Sequence, residues 1–261
     1  MAKGGSFNVE VDDSVFKKDT AKFLKAIGKE EKDFIREQSG MVARDLAKYT
    51  PPFVKGTWPD FNKDTIGTSA DIKAGKNAVA GGIASICMRP SSKKTINQKI
   101  KAFGRNGPVY SSRKGKARIA YGVIDNMKDL ANWHYKNRTS QGRTLKVASI
   151  DRPMVWKSVF NKYIKRRQED VGIAKAGFYK ASLRFGAKAK APPNIKKNVG
   201  KAAGLGILKQ TKDGWVGHVS GTSKGAEYTV NKLPMIERNR GEKAIKRLER
   251  LAKDRAKKDF S

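Results

Sequence analysis

The residues that could do covalent or metal chemistry in this chain are few, and each candidate reaction lacks a partner. Two histidines, His134 and His218, with the lone Cys87 cannot by themselves build a His/Cys zinc site. His134 stands in Trp133-His134-Tyr135, which predicts an aromatic-packed, hydrogen-bonded imidazole. Cys87 lies in an apolar run from Gly82 to Met88, which predicts a small core residue, and a single cysteine excludes an internal disulfide. A phosphate-cradling Gly-x-x-x-x-Gly-Lys-Ser/Thr loop is absent, because Ala74-Gly75-Lys76 and Lys114-Gly115-Lys116 lack the upstream glycine. Gly204-Leu205-Gly206 is half of a dinucleotide fingerprint, but a predicted strand follows it instead of a helix. A metal-dependent nuclease needs convergent carboxylates. The basic region supplies Asp125, Asp129, Asp151, Glu169 and Asp170, of which Asp125 and Asp129 are one helical turn apart and could share a face, as any solvated pair could. No nucleophile–base–orienter set is recognisable. The expectation is a protein that is not an enzyme and uses no metal and no cofactor.

Phosphate is the chemistry that the composition does suit. Lys and Arg number 57 against 24 Asp and Glu, a net charge of +33. The excess is not spread evenly. Residues 1–71 carry 12 basic and 12 acidic groups, residues 72–212 carry 33 and 5, and residues 213–261 carry 12 and 7. Between Asp71 and Asp125 there is no carboxylate, yet there are 12 Lys or Arg. Such a segment repels itself unless an external anion neutralises it, so a polyanionic partner is predicted. The candidate contacts are Lys93, Lys94, Lys99, Lys101, Arg105, Arg113, Lys114, Lys116 and Arg118, with Lys188, Lys190, Lys196, Lys197 and Lys201 further on. Ser91, Ser92, Asn97, Ser111 and Ser112 lie among the first group and add hydroxyl and amide donors suited to phosphate oxygens. Phe103 and Tyr110 read as anchors before they read as stacking platforms, and no base-reading motif is recognisable.

The elements that must carry these residues read as α+β: long amphipathic helices on a small, mostly antiparallel sheet, with long basic loops. The apolar share of 38% is low, but 11 Phe, 7 Tyr and 4 Trp argue for a folded core. Phe7, Val9 and Val11 alternate as a short strand or arm within residues 1–13, and Asp12, Asp13 or Ser14 is expected to cap a helix through about Ile27. A stronger helical stripe follows through Phe34, Ile35, Met41, Val42, Leu46 and Tyr49, and Thr50-Pro51-Pro52 stops it. Asn77 to Met88 is predicted as one strand or a strand pair. Residues 89–118 read as a basic insertion, with a helical turn or two at Ile96, Ile100 and Phe103, a loop from Gly104 to Lys116, and a returning strand at Ala117–Val123. Met154 to Phe185 carries a second helical stripe in which Gly172 and Gly177 mark a kink, a break or a close contact. Lys175 and the other cations of that segment are placed on its outer side. Gly186 ends the helix, and Pro192-Pro193 is expected to prevent its resumption. Asp213-Gly214 between alternating runs predicts a hairpin, and residues 242–258 predict a charged helix with Ile245, Leu248, Leu251 and Ala252 inward. One domain of 261 residues is expected, soluble, made in a reducing cytosol and without a membrane span.

Three stretches together resemble a known family. They are Phe34 to Pro52 with Lys55-Gly56 after it, Ala176-Gly177-Phe178-Tyr179-Lys180-Ala181 to Gly186 followed by Ala191-Pro192-Pro193, and the late hairpin with its closing charged helix. In that order they are similar to the tail-completion proteins of tailed bacteriophages, the minor tail protein Z-like group. The chain departs from the pattern in its Pro-Pro-Phe-Val-Lys-Gly turn and in the basic stretch 89–118. The resemblance implies a virion component of the head–tail neck, assembled in the host cytoplasm as a ring of about six or twelve identical copies. It implies neck, portal or tail-tube proteins as neighbours and no catalytic residues. Packaged double-stranded DNA would then be the nearest polyphosphate, with acidic neighbouring rings as the alternative anion and a cytosolic, sequence-nonspecific DNA- or RNA-binding protein as the alternative function.

Overall fold

A computed structural model of the chain describes residues 7–10, 25, 30–54, 56–57, 59, 63–88, 91–105, 108–113, 116–139, 144–148, 151–212, 214–221, 229 and 231–259. The helix expected to be capped at Asp12, Asp13 or Ser14 and to run to about Ile27 falls outside these residues, apart from Lys25. The architecture is α+β, as the sequence predicts. The chain forms two compact units, residues 1–72 with 172–261, and residues 73–171.

In the first unit β1 (Phe7–Glu10), β6 (Gly204–Thr211) and β7 (Gly214–Gly221) form an antiparallel sheet in the order β1-β7-β6. The predicted hairpin joins β6 to β7, with Thr211 opposite Gly214, whose φ of +125° suits a residue without Cβ. Two helices lie on this sheet, α1 (Glu31–Tyr49) and α6 (Ile173–Arg184). α1 has Glu31 and Asp33 in its first turn and Lys48 in its last, the signs that a helix dipole favours. It stops at Thr50, whose φ of −82° and ψ of 130° are the extended values imposed by the following proline. Phe34, Val42, Leu46 and Tyr49 are buried from α1, and Ala174, Ala176, Phe178 and Ala181 from α6. Each large apolar side chain buried this way contributes about 1.5–3 kcal/mol.

Small residues set how closely the helices approach the sheet. Gly177 of α6 lies directly on Gly204, and a Cβ on Gly206 would stand 2.8 Å from the Ala181 carbonyl oxygen. Ser39 of α1 fills the space beside Gly217. Gly177 therefore marks a close approach of α6 to β6, and Gly204 and Gly206 leave the space for it. A third helix, α8 (Leu233–Asp259), begins nine residues before the expected start at Glu242. It docks on α1 through Leu248 against Phe34, through Arg247 to Glu37, and through Arg240 to Asp45. Ile245, expected inward, is 48% exposed, because the buried stripe runs through Ile236, Arg240 and Leu248 instead.

The second unit assembles around β4 (Val123–Ile124) and β5 (Met154–Val155), a short parallel pair. α2 (Ser69–Ser85) occupies most of the segment predicted as strand from Asn77. Its start explains the difference. Thr68 Oγ1 accepts from Asp71 N at 3.1 Å while Asp71 Oδ2 accepts from Thr68 N at 2.8 Å, a reciprocal cap ahead of an alanine-rich run. Ile83, Ile86 and Cys87 pack with Ile124, Val155, Leu130 of α4 (Met127–Lys136), and Phe160 and Tyr163 of α5 (Lys157–Glu169). Cys87 is the buried core residue expected, its thiol pushed up to about 12 by burial.

Residues 91–118 are not the irregular stretch expected. Ser92 caps α3 (Lys93–Phe103), its hydroxyl accepting from Thr95 N at 3.2 Å, and Gly104 ends it with a φ of +74°. Ile96 is fully buried against Met88, Val123 and Met154, with Ile100 beside it. The predicted loop that follows is a ribbon of β2 (Pro108–Arg113) and β3 (Lys116–Tyr121). The stripe from Met154 to Phe185 is two helices, α5 and α6, separated at Gly172 with its φ of +86°. Pro192-Pro193 does not prevent a new helix, because Pro193 is the first residue of α7 (Pro193–Asn198), where no N–H partner is needed.

Candidate polyanion-binding surface

Three of the five carboxylates weighed for metal chemistry are engaged elsewhere. Asn126 caps α4 by accepting from Asp129 N at 2.9 Å, and its amide donates to Asp125 Oδ1 at 3.2 Å and to Asp129 Oδ2 at 2.7 Å. Arg105 completes the cluster, 2.8 Å from Asp125 and 3.8 Å from Asp129. Asp170 pairs with Arg167 at 3.4 Å. Among the described residues no three His, Cys, Asp or Glu side chains gather as a metal site. His134 is held as predicted, with Nδ1 2.9 Å from the Tyr163 hydroxyl and the rings edge to face at 5.7 Å.

Burial, reinforced by Arg138 and Arg167, pushes the His134 imidazole down to about 4. The unfolded chain takes up this proton near its ordinary value of about 6.5, so between these two values the unfolded state binds more protons. Stability is therefore expected to fall as pH drops through about 6.5 toward 4 and to be independent of this group above that window. Urea midpoints across the window, with His134→Gln flattening the dependence, check the assignment.

The predicted cationic residues fall into two groups, one in each unit. In the first unit Lys188 and Lys190 lie exposed between α6 and α7, Lys196 and Lys197 are exposed on α7, and Lys201 is exposed just beyond it. The Lys190 backbone is pinned beside Thr65, donating to Asp64 O and accepting from Ile66 N, both at 2.7 Å. Lys175 overturns its outward placement. It is fully buried, with Nζ 3.4 Å from Lys48 O and 4.8 Å from the Phe53 ring centre. Burial lowers it to about 8 against the opposing pull of Asp71.

In the second unit α3 gathers the largest set. Ile96 and Ile100 turn toward the core, which leaves Lys94, Asn97, Gln98 and Lys101 exposed away from it and Lys93 exposed at its edge beside Trp156, with Lys99 half-buried. Arg105 departs from the prediction, since its guanidinium serves Asp125 and Asp129. Along the β2–β3 ribbon, Arg113 is in register with Lys116, and Ser111 with Arg118, while Lys114 lies outside the described residues.

Sequence reasoning missed a second stripe. On α5, Lys157, Asn161, Lys162, Lys165 and Arg166 are exposed behind the buried Phe160 and Tyr163. The signal was there as cations at four-residue steps opposite two aromatics. α3 and α5 start side by side. Ser91 N donates to Val155 O and Lys157 N to Ser91 O, both at 2.8 Å, and Lys93 Nζ stands 5.4 Å from the Trp156 ring centre. Neither helix has an acidic residue in its first turn, where helix dipoles normally attract one. Three lysines, Lys93, Lys94 and Lys157, occupy those positions. Cations at two adjacent helix starts repel both each other and the positive dipole ends, a cost that a bound anion would remove.

Comparison with protein-family models, with curated proteins and with solved structures finds no match.

Proposed function

We propose that this chain is a non-catalytic structural subunit of the head–tail neck of a tailed bacteriophage, a tail-completion protein. It assembles as a ring of about six or twelve copies and meets packaged DNA or an acidic neighbour through its cationic region. One observation supports this reading above the others: net positive charge is densest in a unit apart from the stretches that carry the resemblance. The stretches that carry the family resemblance (α1, α6, the β6–β7 hairpin and α8) pack on one another in the first unit. The second unit, residues 73–171, holds 23 basic against 5 acidic groups. An assembly body interrupted by a cationic module suits a ring subunit that lies close to a polyanion.

A second reading, a cytosolic and sequence-nonspecific nucleic-acid binder, draws support from the exposed stripes of α3 and α5. Assembly separates the two. Native mass spectrometry and negative-stain microscopy of the purified chain, alone and with portal or tail-tube proteins, are expected to show closed rings. Disrupting its gene is expected to leave heads and tails unjoined. A protein that stays monomeric with every neck component, and whose loss leaves normal particles, would remove the neck reading and favour the cytosolic one.

A further inference from the structure

We infer that the exposed face of α3 is a duplex-DNA contact helix, in which Lys93, Lys94 and Lys101 take backbone phosphates while Asn97 and Gln98 face the major groove. This inference rests on the preceding reading for its class of partner and goes beyond it by naming the polymer and the element that meets it.

The spacing comes from the helix itself. Lys93 and Lys101 are eight residues apart, about 12 Å along the axis at 1.5 Å per residue. A B-form major groove is also about 12 Å wide, so lysines at both ends of the stripe can reach phosphates on its two sides. The two amides lie between them, on the same exposed side, and neither has a side-chain hydrogen-bond partner among the described residues. All five side chains border one open hollow of about 620 Å³. Asn and Gln are the residue types that pair with adenine edges in that groove, and their amides also satisfy phosphate or water there.

The composition of the face chooses between the candidate anions. A protein partner would need an apolar centre ringed by polar groups, since interface cores are depleted of charge. The exposed stripe of α3 has lysines and amides at its centre, and two of its large apolar residues, Ile96 and Ile100, pack into the core. A hydrated, phosphate-dense surface matches that pattern. Lys93 is partly pre-placed by its position over the Trp156 ring, 5.4 Å away, which reduces the ordering cost of binding. No carboxylate occurs in the chain from Ile72 to Ile124, so none within α3 or its sequence flanks competes for these lysines.

The test uses the full-length chain and a fluorescently labelled duplex of about 20 base pairs, with anisotropy recorded from about 50 to about 200 mM salt. Affinity is expected to fall linearly with salt on logarithmic axes. Lys93→Gln/Lys94→Gln/Lys101→Gln should reduce that slope by about 3 and weaken binding by roughly ten- to a hundredfold. Asn97→Ala/Gln98→Ala, which removes no charge, should leave the slope unchanged and narrow the difference between duplexes of different sequence. Circular dichroism on each variant shows whether α3 still folds, and Lys101→Arg, which keeps the charge, should retain binding. A folded triple variant with the parent's affinity and slope overturns the inference. So does polyglutamate that displaces the duplex at equal charge, because it transfers the face to an acidic protein. The neck reading is scored separately: a chain that binds duplex through α3 but never enters particles sinks that reading and leaves this one standing.

Discussion

Asp45→Ala is expected to lower the stability of the first unit by about 3–5 kcal/mol, the usual cost of removing one partner from a buried ion cluster. Asp45 is fully buried and faces three cations. Arg240 reaches it from α8, Lys48 Nζ stands 3.4 Å away, and Arg44 Nε stands 3.9 Å away. Lys48 is itself buried, and that burial, together with Arg44, already lowers its proton affinity against the support of Asp45. Without the carboxylate, Lys48 and Arg240 keep their desolvation cost and lose its compensation. Urea unfolding at neutral pH reads the change. Arg240→Met in the Asp45→Ala background should recover part of the loss, because it removes one of the stranded charges. A midpoint that does not move in Asp45→Ala would mean that water reaches the cluster and screens it.

Gly204→Ala is the second large effect, a loss of about 3 kcal/mol from overpacking. The added methyl would overlap the carbonyl of Gly177 and lie 2.6 Å from its Cα. Both surfaces are backbone, so no side-chain rotation relieves the clash, and α6 must lift from β6. The reciprocal change separates crowding from any general intolerance at this contact. A Cβ on Gly177 meets Ala203 O at 3.6 Å, an ordinary contact, and alanine is the better helix former. Gly177→Ala should therefore be neutral or stabilise by up to about 1 kcal/mol. Thermal melts of the two variants should move in opposite directions, and equal losses in both would contradict the packing described here.

Much of the first unit was legible because its signals are local. The stripe from Phe34 to Tyr49, the proline stop after Thr50 and the Asp213-Gly214 hairpin each depend on residues within a few positions of one another, and the structure keeps all three. α2 was misread although its start was written in Thr68-Ser69-Ala70-Asp71. The glycines at 75, 81 and 82 suggested a broken strand, and the reciprocal cap plus alanines at 74, 78, 80 and 84 outweigh them. α3 was reduced to a turn or two because its cations obscured Ile96 and Ile100, two inward residues at a four-residue step that are enough once a core exists to receive them.

The candidate site divides in the same way. That Lys93, Lys94 and Lys101 suit phosphate follows from charge and was predicted; that they share one face with two free amides needed the helix. Arg105 read as one more cation until Asp125, 20 residues away, came within 2.8 Å of it. Lys175 read as outward from its neighbours in the chain, and it became buried because α1 closes over α6.

Charge and turn chemistry were decided by the sequence itself: a surplus of cations concentrated in residues 72–212, an α+β succession of elements, and the places where proline and glycine stop a helix or fold a hairpin. Charge and the stops set by proline and glycine depend on side-chain identity at short range, so they survive whatever the rest of the chain does. Which cations face outward, which are neutralised and which are buried was decided only by tertiary structure. Burial and ion pairing arise where residues far apart in the chain meet, as Asp45 meets Arg240 across 195 positions.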